Sequence, residues 1–236
     1  MGEEKGYPKF LRDTAVTQVD ENTWEAKLTD GWSIGGVANG GYSMATAARA
    51  LAEALDHKDP LSITGHYLSR VEPGEVLLEI EKLNIGRSVS TALLKFIQEG
   101  EERIRFTSCF TDFSKSNGDT HREVEAPDFP PIEECIYMPY KQGFTPVLEK
   151  QIDRRFAPYS NWWDEERPRG RASLDAYYAW PGGEAIDLFS VIFFLDTMSP
   201  PIFNRLGSRG WVPSLELTVH LKQLPCSGPL KMRGKT

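Results

Sequence analysis

Apolar residues recur along this chain with two periods. From Met44 to Leu55 they fall three and four apart, at Met44, Ala45, Ala48, Leu51, Ala52 and Leu55. That spacing is one buried face of a helix. The residues are mostly small, so whatever wraps this helix can approach closely. Further on the period is two. Leu61–Leu68, Val76–Ile85, Arg87–Gln98 and Glu102–Phe113 read as strands. Val76, Leu78 and Ile80 share one face of the second, and Ile104, Phe106, Ser108 and Phe110 one face of the fourth. Turns at Glu72-Pro73-Gly74 and Gln98-Glu99-Gly100, with a bend at Gly86, join them as an antiparallel meander. Asp59-Pro60 breaks the chain after the helix. Upstream, Ala15, Val16, Val19 and then Trp24, Ala26, Leu28 suggest two short strands or a hairpin, followed by an Asp30-Gly31 turn. Residues 1–12 read as a lead-in. One small-residue helix and a long meander bury each other only if the sheet curls around the helix.

Residues 114–150 break the pattern. Five prolines, polar runs and weak periodicity mark a connector. The remainder then echoes the first half. Gln151–Ala157 and Arg171–Trp180 are strand-like, and Trp180-Pro-Gly-Gly precedes an apolar helix over Asp187–Asp196, as Trp32-Ser-Ile-Gly precedes the first, at an offset of 148. Beyond the helix the offset becomes 154, placing Leu61, Ile63, Thr64, His66 and Gly74 on Leu215, Leu217, Thr218, His220 and Gly228. A longer helix-to-strand loop around 207–211 accounts for the change. The pattern is an internal duplication, with repeats at 1–113 and 151–236 and a connector at 114–150. By the same offset the second copy would run about 30 residues past Thr236. Either the chain is a truncated form or a partner supplies the last two strands.

Length and charge narrow the class. With 236 residues and 40% hydrophobic content, one large domain or two smaller ones can each bury a core. A formal charge of −7 argues against nucleic acid or an anionic membrane as partner. The basic runs Arg167, Arg169, Arg171 and Lys222, Lys231, Arg233, Lys235 read as solvated surface. Three cysteines with no ligand spacing predict neither a disulfide framework nor a metal site, and nothing points to a cofactor. The N-terminus lacks an apolar signal core, and no apolar run is long enough to span a membrane. A cytoplasmic protein is expected.

The loop before the first helix carries candidate chemistry. Asn39 can cap the helix, and Gly40 and Gly41 leave its first N–H groups open. Such an end holds an anion, or a carbonyl oxygen that becomes anionic during reaction; a tight glycine turn before a core helix is the plainer reading. Ser43, Ser88 and Ser90 lack a GxSxG setting, and GVANGGY is not a dinucleotide fingerprint. His66 and His220 occupy equivalent strand positions, which favours a shared structural role over catalysis. His121, among charges, reads as exposed.

The segments 39–51, 65–91, 188–207 and 211–222 together resemble the double-hotdog acyl-CoA thioesterases of the thioesterase II type. The resemblance implies an α+β fold, a tandem hotdog in which each curved antiparallel sheet wraps a central helix. It implies hydrolysis of an acyl-CoA to free acid and CoA, and a homo-oligomer, as a dimer. The family's water-holding Asp and hydroxyl correspond to Asp196 and Ser214; the hydroxyl is often threonine. The family's Gln would lie beyond Thr236. Asp196 ends the run LFSVIFFLD, where burial would raise its pKa and suit a general base for water; a solvent-facing helix-end aspartate is the alternative. Ser214 follows Pro213 and could equally cap a turn. Asn39, Gly40 and Gly41 are candidates for the substrate oxyanion, and Phe193, Phe194 and Met198 for the acyl slot, although such aromatics also suit plain core. Two other readings stay open: a non-catalytic tandem hotdog that binds acyl-CoA or an acyl carrier, and a hydratase or dehydratase, for which no Asp-x-x-x-x-His spacing is found.

Overall fold

The computed structural model describes residues 5–236 except 117, 120, 122, 165–169, 209 and 211. Arg167 and Arg169 lie outside the described residues. In chain order the elements are α1 (Gly6–Asp13), β1 (Thr17–Asp20), β2 (Thr23–Leu28), β3 (Ser33–Ile34), β4 (Val37–Ala38), α2 (Gly40–Ala54), β5 (Asp59–Tyr67), β6 (Gly74–Ile85), β7 (Ser90–Gln98) and β8 (Glu101–Thr111). The second half adds β9 (Ile136–Tyr137), β10 (Asp153–Phe156), β11 (Ser173–Ala179), α3 (Leu188–Thr197), α4 (Phe203–Leu206), β12 (Glu216–His220) and β13 (Leu230–Lys235).

The first meander forms a seven-stranded antiparallel sheet in the order β1-β2-β6-β7-β8-β5-β12. Its inward positions are the alternating apolar ones. Val76, Leu78 and Ile80, and Ile104, Phe106, Ser108 and Phe110, are all buried. They close on α2, whose Met44, Ala45, Ala48 and Leu51 are fully buried. Gly35 and Gly36, at φ +59° and +82°, make the two-residue turn between β3 and β4, where both positions need positive φ. Asp59-Pro60 does not end an element but opens β5, with Asp59 paired to Thr111; proline is tolerated at the start of a strand.

The lead-in is a helix instead. Phe10 of α1 is fully buried, with ring centroids 5.5 Å from Trp32, 5.1 Å from Trp180 and 5.1 Å from Phe193. Trp32 and Trp180, equivalent at the 148 offset, meet edge to face at 6.3 Å. At the end of α1, Asp13 accepts hydrogen bonds from Lys9, Arg12, Thr29 and the Trp32 indole. Burial pushes the Asp13 carboxyl up, but these donors outweigh it and hold its pKa below the ordinary aspartate value. α1 therefore packs on both repeats through Phe10, and the Asp13 carboxylate ties it to the first.

The duplication is visible in space. β12 leaves the second repeat and pairs antiparallel with β5, Thr64 opposite Thr218. These two residues are equivalent at the 154 offset, and their hydroxyls lie 2.9 Å apart. His66 faces Glu216 and Ser62 faces His220 in a reciprocal register. Such self-complementary pairing is what a two-fold relation between repeats produces. Both histidines are exposed on this seam. The second sheet runs β13-β11-β10-β9. In the first sheet β7 and β8 separate β6 from β5; among the described residues no strand lies between their counterparts β13 and β12.

Candidate active site

α2 and α3 run antiparallel against each other, so the end of α3 meets the start of α2. The approach is close because the meeting residues are glycines. A Cβ on Gly41 would sit 2.8 Å from both the Asp196 Cβ and the Phe193 carbonyl oxygen, and one on Gly40 would sit 2.9 Å from Asp196 Oδ2. Gly41→Ala must push the helices apart, and is expected to lower stability by about 1–3 kcal/mol and to displace the Asp196 side chain. Urea unfolding and turnover measured on the same protein check both effects.

Asp196, partly buried in the last turn of α3, is held on both oxygens. Its Oδ2 accepts from the Gly41 N–H at 2.9 Å and from Asn39 Nδ2 at 3.0 Å. Its Oδ1 accepts from the Ser214 hydroxyl at 3.0 Å. Asn39 serves two purposes, since its Oδ1 also caps α2 by accepting from the Tyr42 N–H at 3.0 Å. Tyr67, at the end of β5, donates its hydroxyl to the Gly40 carbonyl at 3.0 Å. Burial raises the Asp196 pKa above the ordinary value, and the bonds from Gly41, Ser214, Asn39 and Gly40 only partly offset this. Burial and the neighbouring Asp196 charge push the Tyr67 phenol well up, so it stays a protonated donor.

The structure thus brings Asp196, Ser214, Asn39, Gly40 and Gly41 to one place, with a change of role. Asn39 and Gly41, read as candidates for a substrate oxyanion, instead donate to the chain's own carboxylate. Asn39, Gly40, Tyr67, Asp196, Met198 and Ser214 all line one cavity of about 870 Å³. Its apolar wall is built by Met138, Phe144, Trp162, Pro201 and Phe203 as well as Met198. Phe194 does not line it. That ring is fully buried, 4.8 Å from Trp180 and 5.6 Å from Tyr178, and Phe193 faces the Trp32 and Phe10 cluster. Both are core residues. Tyr67 and the aromatic wall went unread in the sequence; the alternation that buries Tyr67 in a strand carries no mark of a site.

The other end of the helix pair is built differently. Asp187 caps α3 as Asn39 caps α2, at the same 148 offset. There the facing helix presents Arg49, 3.5 Å from Asp187, with Tyr7 donating to Asp187 at 3.0 Å and the Arg49 guanidinium over Phe189. A neutralised ion pair occupies that end. At the other, among the described residues, no ion pair reaches the Asp196 carboxylate.

Residues 28–111 match the acyl-CoA thioesterase N-terminal domain family, and residues 131–236 match the acyl-CoA thioesterase C-terminal domain family. The chain belongs to the acyl-CoA thioesterase family. It is 34% identical over 94 residues to the thioesterase-like protein TwmA of Talaromyces wortmannii, across 39% of this chain and 27% of that protein's length. Among solved structures, it matches a Thermobifida fusca protein assigned by inference as a thioesterase II, with a TM-score of 0.87 and 27% identity over 96% of this chain and 85% of the other. A hot dog fold protein of unknown function from Alicyclobacillus acidocaldarius matches with a TM-score of 0.77 and 20% identity, over 91% and 79% of the two chains. The tandem hotdog architecture that the resemblance implies is the fold these neighbours share. Among the described residues no helix is long and apolar enough to cross a membrane.

Proposed function

We propose that this member of the acyl-CoA thioesterase family hydrolyses an acyl-CoA to a free acid and CoA, with Asp196 as the base that activates water. One observation carries the reading. The Asp196 carboxylate borders the cavity, anchored through Oδ2 by Gly41 and Asn39, while Oδ1 shares its side with the Ser214 hydroxyl. A fixed carboxylate raised above its ordinary pKa is a better proton acceptor than a solvated one. A water bonded to Oδ1 and Ser214 would be aimed at a carbonyl in the cavity. As water attacks, its proton passes to Asp196, the carbonyl becomes a tetrahedral oxyanion, and collapse expels the CoA thiolate, which takes up a proton. The apolar wall suits the acyl chain and lies on the same cavity as the carboxylate.

The test is thiol release from a panel of acyl-CoAs. Ser214→Ala is expected to lower kcat about tenfold, the lower range for a hydrogen bond to a charged group, with little change in KM. Saturable acyl-CoA binding without thiol release would favour a binding protein instead. Hydration of an enoyl-CoA would move the chain to another reaction class.

A further inference from the structure

Tyr67 and Asp196 sit on opposite sides of a single peptide unit. The Tyr67 hydroxyl donates to the Gly40 carbonyl at 3.0 Å, and the N–H of that same peptide, on Gly41, donates to Asp196 Oδ2 at 2.9 Å. We propose that Tyr67 is a positioning residue that sets the basicity of Asp196 through the Gly40–Gly41 peptide. The inference rests on the reading of Asp196 as the base.

The physical argument is polarisation. A donor on a peptide oxygen draws charge toward it and leaves the peptide N–H more positive, so hydrogen bonds in series strengthen one another. With Tyr67 in place, Gly41 is the stronger donor, and the ionised form of Asp196 is favoured. The phenol is built to hold this position. Its backbone N–H is tied to the Leu215 carbonyl at 3.0 Å, its residue pairs with Ile104, and its ring stands edge-on to Phe106 at 6.4 Å. Its ring also covers Gly40, where a Cβ would meet it at 3.0 Å. Leu215 adjoins Ser214, so the β5–β12 seam locates both Tyr67 and the Ser214 donor to Oδ1. The groups around Asp196 are Asn39 and Gly41 from α2, Tyr67 from β5 and Ser214 before β12. Among the described residues, the ionisable side chains farther along the cavity are Arg70 and Glu149, the latter paired with Arg154.

The experiment is the pH dependence of kcat/KM for acyl-CoA hydrolysis, whose acidic limb reports the base in the free enzyme. Tyr67→Phe removes only the hydroxyl. It is expected to move the limb up by about 0.2–0.5 of a pH unit, a two- to threefold loss below the limb that shrinks above it. Replacing Tyr67 with 3-fluorotyrosine, a more acidic phenol and stronger donor, is expected to move the limb down. Opposite movements support the proposal. An unmoved limb in both, or an equal loss at every pH, overturns it while leaving Asp196 as base, provided Asp196→Asn is inert. Full turnover in Asp196→Asn would overturn the base assignment and this inference with it.

Discussion

Asp196→Asn is expected to lower kcat by about 10²–10⁴-fold, the range lost with a general base, while the folded protein becomes no less stable at neutral pH. The second half of this expectation separates it from ordinary damage. Asparagine keeps the shape of the site. Its carbonyl oxygen can accept from Gly41 and Asn39, as Oδ2 does now, and its amide can donate to the Ser214 oxygen. The charge is what changes. Asp196 has a folded pKa above its unfolded one, so the folded chain binds the proton more readily. Its contribution to stability is therefore greatest below the ordinary aspartate value and falls as pH rises through the window up to the raised value. Above that window the ionised carboxylate weighs against folding, and removing it lifts the load. Asp13 and Asp175 shift the other way, each held down by cationic and neutral donors, and both lose their contribution as pH falls. That background is common to parent and variant, so the difference between their melting temperatures isolates Asp196. The difference should favour the variant at neutral pH and vanish in acid. A variant that turns over within tenfold of the parent would end the role of Asp196 as base.

Much of this arrangement is legible in the sequence. The α2 face from Met44 to Leu55, the alternation in β6 and β8, and the echo of Thr64 by Thr218 are local or periodic signals, and each appears where it was read. Asp196 and Ser214 came from family resemblance, and the structure brings them within a hydrogen bond. What stayed hidden depended on partners distant in sequence. Asn39 and Gly41 lie more than 150 residues from Asp196, and only the antiparallel packing of α2 on α3 makes one the anchor of the other. α1 has a short sequence whose one anchor, Phe10, means little until Trp32 and Trp180 are adjacent. Phe194 was misplaced for a related reason. LFSVIFFL is apolar on every side of its helix, so periodicity cannot separate the cavity face from the core face.

Arg154→Ala is expected to be the most destabilising single change near the site, at about 3 kcal/mol, read as a drop in the urea midpoint. Arg154 lies on β10 with its guanidinium almost wholly enclosed. It is paired with Glu149, stacked on Phe156 and Tyr178 at 4.9 Å and 5.4 Å, and bonded to the Tyr178 hydroxyl and the Thr197 carbonyl. The last of these matters for the site. Thr197 follows Asp196, and its carbonyl is one of the orphan acceptors that close α3, where a cation is also favoured by the helix dipole. Alanine leaves Glu149 as an enclosed carboxylate with its cation gone, strands the Thr197 carbonyl and opens a hole beneath two rings. Most of the loss comes from the unpaired charge, because a buried ion pair is itself near break-even against an apolar pair of the same volume. The double change Glu149→Gln with Arg154→Met should therefore recover most of the stability. It would not recover turnover fully, since the tether on the Thr197 carbonyl stays broken and the Asp196 carboxylate hangs from that last turn. A double variant as unstable as Arg154→Ala would show that the stacking and the Thr197 bond, not the charge on Glu149, dominate.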